Sequence, residues 1–126
     1  MMSNDGSDSI VVLVVDDEAI LRLVASDVLE ENGFQVLEAE NAKAALKMLA
    51  EFPGVRVLFT DINMPGALDG LDLAREVHMR WPAIKLVVTS GRAKPPDREW
   101  PDTGRFVPKP YSPDQLVQEI RQALVG

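Results

Sequence analysis

The sequence has no cysteine and a single histidine, His78. Disulfide bonds, thiolate chemistry and zinc sites built from cysteine or clustered histidine are therefore excluded. The longest apolar run, at residues 10–15, is far shorter than the roughly 20 residues that a membrane-spanning helix needs. Residues 1–9 are polar and acidic and lack the basic start of a signal peptide, so we expect a flexible N-terminal tail. These absences favour a cytoplasmic protein with no membrane partner.

Positive charge is also scarce. The chain carries 13 Lys and Arg residues against 20 Asp and Glu residues, and its net charge is −7. A nucleic-acid-binding protein needs a basic face that neutralises phosphates, so nucleic acid is not expected as a partner. Apolar residues make up 46% and charged residues 26% of the 126 positions, which is typical of one folded globular domain.

Short apolar runs rich in β-branched residues recur along the chain. They predict strands at residues 10–15, 35–39, 55–60, 84–89 and 105–107. Four of these runs are almost continuously apolar, as in parallel strands that are covered on both faces. The run at 35–39 is more polar and is typical of an edge strand.

Amphipathic segments separate the strands, and several begin at residues that cap helices well. Asn41, Asp69 and Ser112 stand at such positions, and Pro113 follows at the first helical position. Residues 91–104 are polar and rich in proline, so we expect the fourth helix to be short or irregular. The alternation of strands and helices predicts an α/β fold with a doubly wound parallel sheet.

Polar residues stand where four of the predicted strands end. Asp16 and Asp17 follow the first strand, Asp61 follows the third, Thr89 closes the fourth and Lys109 follows the fifth. Because ligands bind at the carboxyl edge of such sheets, we expect these side chains to converge there. Each has an ordinary alternative, since Asp17 could cap a helix and Asp61 could be a turn residue. The coincidence at four strand ends favours a site.

The chemistry of this set is specific. Three neighbouring carboxylates raise at least one pKa unless a cation lies among them. Oxygen ligands without His or Cys select Mg²⁺, Mn²⁺ or Ca²⁺, and a small carboxylate set suits Mg²⁺. A carboxylate can also act as a nucleophile and form an aspartyl phosphate. Lys109 would then neutralise charge on the phosphoryl group, and Thr89 would donate a hydrogen bond to it.

At these positions the chain resembles the receiver domains of two-component response regulators. The resemblance covers about residues 10–125 and rests on VLVVDDE, VLFTDINMPG, VVTSG and FVPKPY in that order. It implies a receiver domain at residues 10–126 with a flavodoxin-like (βα)5 fold and strand order 2-1-3-4-5. It also implies a signalling module that phosphorylates itself with Mg²⁺ and dephosphorylates slowly, rather than an enzyme.

The resemblance implies a role for each residue at the metal. Asp61 would be the phosphoacceptor, and Asp17 and Asp61 would bind Mg²⁺ directly. Asp16 would act largely through water, and the backbone carbonyl of Asn63 would be a further ligand.

It also implies how the phosphoryl group would be sensed. Thr89 would be the switch hydroxyl, and Lys109, with a cis bond to Pro110, would pair with the phosphate. Phe106 occupies the position of the aromatic switch residue and would act by burial alone, because it has no hydroxyl. Residues 91–104 depart most from the family pattern.

The expected partners are a histidine kinase or a histidine phosphotransfer protein as the donor and an output protein that the sequence does not identify. We expect a stand-alone receiver, because the last helix ends at the C-terminus, and the alternative is a receiver fragment of a hybrid histidine kinase. A Mg²⁺-dependent phosphohydrolase is disfavoured, because Asn63 stands where such enzymes have a second Asp. The complete acidic set disfavours a module that has lost phosphorylation, and an acidic edge disfavours a flavin carrier.

Overall fold

The computed structural model describes residues 10–64, 66, 68–91 and 104–125. In chain order its elements are β1 (Val11–Val15), α1 (Ala19–Glu31), β2 (Gln35–Ala39), α2 (Ala42–Glu51), β3 (Val55–Asp61), α3 (Gly70–Arg80), β4 (Lys85–Ser90), β5 (Arg105–Pro108) and α4 (Pro113–Val125). The predicted tail at residues 1–9 lies outside the described residues, as does nearly all of the segment predicted to hold a short or irregular fourth helix.

All five strands are parallel and form one sheet in the order β2-β1-β3-β4-β5. The order confirms the predicted flavodoxin-like sheet and the prediction that the second strand lies at an edge. The bounds of β2 match the predicted ones, and those of the other strands differ by at most one residue at either end. β3 runs through Asp61, and β4 runs through Ser90, so Asp61 and Thr89 pair as neighbours within the sheet.

The helices cover both faces of the sheet because side chains alternate between the faces along each strand. Leu13 and Leu58 point to one face and join the buried residues of α2 and α3. Val12 and Val57 point to the other face and join those of α1 and α4. Each fully buried aliphatic side chain contributes about 1.5–3 kcal/mol through its removal from water. These two apolar layers hold the strand ends in place.

Three of the helices begin at the residues that the sequence predicted as caps. The side chain of Asn41 accepts a hydrogen bond from the first turn of α2. Asp69 and Asp72 bond each other's backbone N–H groups in a capping box at α3. Ser112 and Gln115 form the same reciprocal pair at α4, at 2.8 and 3.1 Å. No helix in the described part of the chain is long and apolar enough to cross a membrane.

Candidate functional site

The carboxyl edge of the sheet brings Asp16, Asp61 and Lys109 together. Asp16 and Asp61 are each 4% exposed. The Lys109 Nζ donates to Asp61 Oδ2 at 2.8 Å and lies 3.4 Å from Asp16 Oδ2. The predicted convergence of the first, third and fifth strand ends is therefore present in the structure. The Lys109–Pro110 peptide bond is cis, as the resemblance implied.

The carboxylate of Asp61 is held at both oxygens. Its Oδ2 accepts from Lys109, and its Oδ1 accepts from the backbone N–H of Asn63 at 2.9 Å. Behind it, a Cβ placed on Gly70 would lie only 2.0 Å from the Asp61 carbonyl oxygen and 2.5 Å from the Cα of Ile62. The start of α3 therefore packs directly on the backbone that carries Asp61, and only glycine fits there.

Asp16 is anchored through its side chain and its backbone. Its Oδ1 accepts from the backbone N–H of Glu18 at 2.9 Å. Its own N–H donates to the carbonyl of Ala39 at 3.2 Å, and its carbonyl accepts from Arg22 at 2.7 Å. The loop after β1 is thus tied to the end of β2 and to the first turns of α1.

Glu18 completes a group of three carboxylates that we call the carboxylate cluster: Asp16, Glu18 and Asp61. One oxygen from each lies within 4.8 Å of the other two, and the carboxylate of Glu18 is 4.0 Å from the Lys109 Nζ. Asp17 is exposed and lies outside this cluster, so its role as a direct ligand stays a prediction. The sequence did not single out Glu18 beyond its favourable place near a helix start, although the acidic run of residues 16–18 was a signal.

The start of α1 explains why Glu18, and not Asp17, lies in the carboxylate cluster. The N-cap is Glu18, with an extended backbone, and its side chain makes no cap hydrogen bond to the described residues. Asp17 therefore does not cap the helix, which was its ordinary alternative. The chain bends after Asp16 so that the Glu18 N–H donates to Asp16 Oδ1, and this brings the carboxylates of Asp16 and Glu18 to the same site.

The electrostatics of the cluster are unfavourable for the carboxylate of Asp16. Burial raises the pKa of Asp16 above its usual value, against the opposing effects of the Glu18 N–H and of Lys109. Burial would by itself lower the pKa of Lys109, but the hydrogen bond and charge of Asp61, with a further contribution from Asp16, raise it overall. One ammonium group is thus shared among three carboxylates.

Thr89 lies beside Asp61 on β4 and is 1% exposed. Its Oγ1 has no hydrogen-bond partner among the residues that the structure describes. A buried hydroxyl without a partner costs about 1–3 kcal/mol, so its presence calls for an explanation. Because paired residues of neighbouring strands point to the same face, this hydroxyl lies on the same side of the sheet as the Asp61 carboxylate.

Asn63 and Phe106 are the remaining predicted site residues. The hydroxyl of Ser90 donates to Asn63 Oδ1 at 2.5 Å and links the loops that follow β3 and β4. Phe106 pairs with Val88 and packs, half-buried, against the apolar layer of α2 and α3. Phe106 lies on β5, within the strand predicted at residues 105–107, and its role as the aromatic switch residue stays a prediction.

A cavity of about 500 Å³ opens beside Lys109. It is lined by Leu21, Val24, Gly91, Lys109, Pro110 and Tyr111. Next to it, the outer face of α1 exposes Ile20 and Leu23, which are 77% and 54% accessible. An apolar surface therefore borders the acidic one.

The donor set fits a hard divalent cation. All three side chains of the carboxylate cluster offer oxygen, which Mg²⁺ prefers over nitrogen or sulfur donors. A cation among them would relieve the unfavourable burial of Asp16.

Comparisons with known proteins all point to the same protein family. Residues 12–121 match the family model described as the response regulator receiver domain. The response regulator receiver protein CpdR of Brucella abortus is 32% identical over 118 residues, which cover 91% of this chain and 97% of CpdR. The sensor kinase CckA of the same organism is 34% identical over 126 residues, which cover 97% of this chain and 13% of CckA.

Solved structures agree with these matches. A response regulator receiver protein from Sinorhizobium medicae superposes with a TM-score of 0.85 and 29% identity, over 94% of this chain and 96% of that one. Several curated relatives are much longer, however: the chain spans 24% of the transcriptional regulator HoxA of Cupriavidus necator and 51% of PhoB of Klebsiella pneumoniae.

Proposed function

The chain belongs to the response regulator receiver domain family of two-component signalling, and we propose that it accepts a phosphoryl group on Asp61 with the help of Mg²⁺ and signals through altered protein binding. One observation carries the proposal. The buried Asp61 carboxylate accepts from Lys109 and pairs across the sheet with Thr89, whose hydroxyl has no partner among the described residues, and this supports a role for both side chains in stabilising a phosphoryl group.

The metal would be held by Asp16, Asp17, Asp61 and the backbone carbonyl of Asn63, with Glu18 close enough to contribute. When bound, Mg²⁺ supplies positive charge that offsets the charge of the phosphoryl oxygens. The raised pKa of Asp16 supports this assignment, because the metal-free site holds more negative charge than its burial favours.

The transfer step needs the side chains of the site, the Mg²⁺ that they would hold and a phosphohistidine donor. A carboxylate oxygen of Asp61 attacks the phosphorus atom, and a P–O bond forms while the P–N bond to the donor imidazole breaks. The electron pair of that bond returns to the imidazole nitrogen. Lys109, now on Asp61 Oδ2, moves its hydrogen bond to a phosphoryl oxygen, and the Thr89 hydroxyl donates to another.

The donor is a histidine kinase or a histidine phosphotransfer protein, and Thr89 and Phe106 would pass the change on to an output protein. The apolar face of α1 beside the site supports contact with a protein donor, because exposed apolar side chains next to a binding site often mark a protein-interaction surface. The likeness to CckA, a sensor kinase, supports the alternative that the receiver works within a hybrid histidine kinase. The phosphoryl chemistry is the same in both cases.

Acetyl phosphate tests the chemistry without a partner. Wild-type protein incubated with acetyl phosphate and Mg²⁺ should gain the mass of one phosphoryl group, and omission of Mg²⁺ should prevent the gain. Asp61→Asn should gain none, whereas Asp27→Asn, a change at an exposed acid on α1, should behave as wild type. Phosphorylation of Asp61→Asn would refute the assignment, and steady release of phosphate from phosphomonoesters would favour a phosphohydrolase.

A further inference from the structure

Arg22 connects the loop of Asp16 to the edge strand β2. Its side chain is only 19% exposed although it belongs to α1. The Nη1 donates to the carbonyl oxygen of Asp16 at 2.7 Å, and the Nε donates to Glu38 Oε1 on β2 at 3.1 Å. The hydrogen bonds of Arg22 go to Asp16 and Glu38, so it has no part in the proposed transfer step.

The contact between Arg22 and the Asp16 carbonyl holds the backbone from which the Asp16 carboxylate reaches the carboxylate cluster. The Asp16 N–H is held by Ala39 at the end of β2, and the Asp16 carbonyl is held by Arg22. With both ends of the residue anchored, its Oδ1 can stay on the Glu18 N–H and its Oδ2 can face Lys109. Loss of the carbonyl contact would free the Asp16–Asp17 peptide plane to rotate, and this would displace the Glu18 N–H that holds the Asp16 carboxylate.

Holding Asp16 in this way requires an arginine at position 22 and an acidic partner at position 38. A guanidinium presents donors in a rigid fork and can bond the carbonyl and the carboxylate at once, whereas a lysine ammonium on a flexible stem does not hold both geometries. Glu38 also neutralises the positive charge of Arg22. Without Glu38 that charge would stand beside the carboxylate cluster and would oppose the binding of a cation.

We propose that Arg22 is a positioning residue that sets the affinity of the site for Mg²⁺ by holding Asp16, with Glu38 as the group that orients and neutralises it. This inference rests on the proposed metal-dependent function. Residues that orient metal ligands without touching the metal commonly change metal affinity by about 10–100-fold.

The experiment measures the Mg²⁺ dissociation constant of the unphosphorylated protein from amide chemical shifts during a Mg²⁺ titration. Arg22→Met should weaken binding about tenfold. Arg22→Lys should recover only part of that loss, and Glu38→Gln should weaken binding less than Arg22→Met does. The double variant should resemble Arg22→Met alone, because the two residues act as one unit.

The metal-free protein offers a second readout. In Arg22→Met the amide proton of Glu18, which donates to Asp16 Oδ1, should shift before any metal is added. Arg105→Met is the matched control, because Arg105 makes the same Nε–Oε1 contact with Glu119 at 2.6 Å on β5 and α4. It should lower the melting temperature and leave both the Glu18 shift and the Mg²⁺ affinity unchanged.

The outcomes separate the two proposals. Unchanged Mg²⁺ affinity in Arg22→Met, with a loss of melting temperature equal to that of Arg105→Met, would show a purely structural arginine and overturn this inference alone. If Arg22→Met does not fold, Glu38→Gln is the test, since it keeps the carbonyl contact and removes only the orienting charge. Weaker Mg²⁺ binding in this variant would then support the inference, and unchanged binding would overturn it. Wild-type protein that binds no Mg²⁺ would overturn both this inference and the proposed function.

Discussion

The interior of the sheet and its carboxyl edge are buried to nearly the same extent, but burial has opposite consequences in the two regions. Leu13 and Leu58 are fully buried among other apolar side chains, which is the main favourable term in folding. Asp16 and Thr89 are almost as buried, yet the pKa of one is raised and the hydroxyl of the other has no partner in the described residues. The interior supplies stability, and the edge holds polar groups at a cost in stability.

The largest expected effect comes from the interior. Leu58→Ala leaves a cavity where β3 meets α2 and α3, and it should lower the free energy of unfolding by about 3 kcal/mol. Urea denaturation monitored by circular dichroism measures the loss. The folded variant should still be phosphorylated at low temperature. A loss below about 1 kcal/mol would show that the interior is less tightly packed than described.

Gly70→Ala tests the boundary between the two regions. Its Cβ would meet backbone atoms of Asp61 and Ile62, which cannot move aside as a flexible side chain would, so we expect about 2 kcal/mol of destabilisation and slower phosphorylation. Gly54→Ala is the control, because no described atom lies within 4 Å of its Cβ, and its unfolding free energy should be close to that of wild type. Equal behaviour of the two variants would contradict the close approach.

Unlike the two changes above, Asp16→Asn should raise the stability of the metal-free protein. Removal of the buried charge should stabilise the metal-free protein, because burial outweighs the attraction of Lys109 in the pKa of Asp16. The same change should strongly reduce Mg²⁺ binding. Thermal unfolding in EDTA measures the first effect, and a lower melting temperature there would mean that the contact with Lys109 dominates.

The smallest expected effect on stability is that of Thr89→Val. This change removes a hydroxyl that has no partner among the described residues and nearly keeps the shape of the side chain, so the free energy of unfolding should rise by about 0.5 kcal/mol. Phosphorylation by acetyl phosphate should slow. Thr60→Val is the matched control, because the Thr60 hydroxyl donates to the Asp61 carbonyl at 2.9 Å and its loss should destabilise by about 1 kcal/mol. Destabilisation in both variants would indicate that the Thr89 hydroxyl has a partner.

The elements that could be predicted from the sequence are those that local chemistry specifies. Continuous apolar runs predicted the strands, and the polar second run predicted the edge position of β2. Asn41, Asp69 and Ser112 were recognisable as caps, because their side chains bond N–H groups within the same turn. The convergence of Asp16, Asp61 and Lys109 followed from the rule that strand ends of a parallel sheet share one edge.

What could not be predicted depends on helix starts and on distant contacts. The sequence allowed Asp17 as the cap of α1, and only the structure shows that Glu18 takes that position and lies in the carboxylate cluster. Arg22 gave no signal, because its partners are a backbone carbonyl and a glutamate 16 positions away. No periodicity or motif encodes such a contact.

The strand order has a consequence for how the domain can respond. β3 lies between β1 and β4, so the backbone that leads to Asp61 is hydrogen-bonded on both sides. Amide hydrogens of Leu58 and Phe59 should therefore exchange with solvent only when the whole domain unfolds, while those of the edge strands exchange sooner. A strand protected in this way cannot slide within the sheet. A chemical change at Asp61 therefore has to pass outward through the side chains and loops at the carboxyl edge.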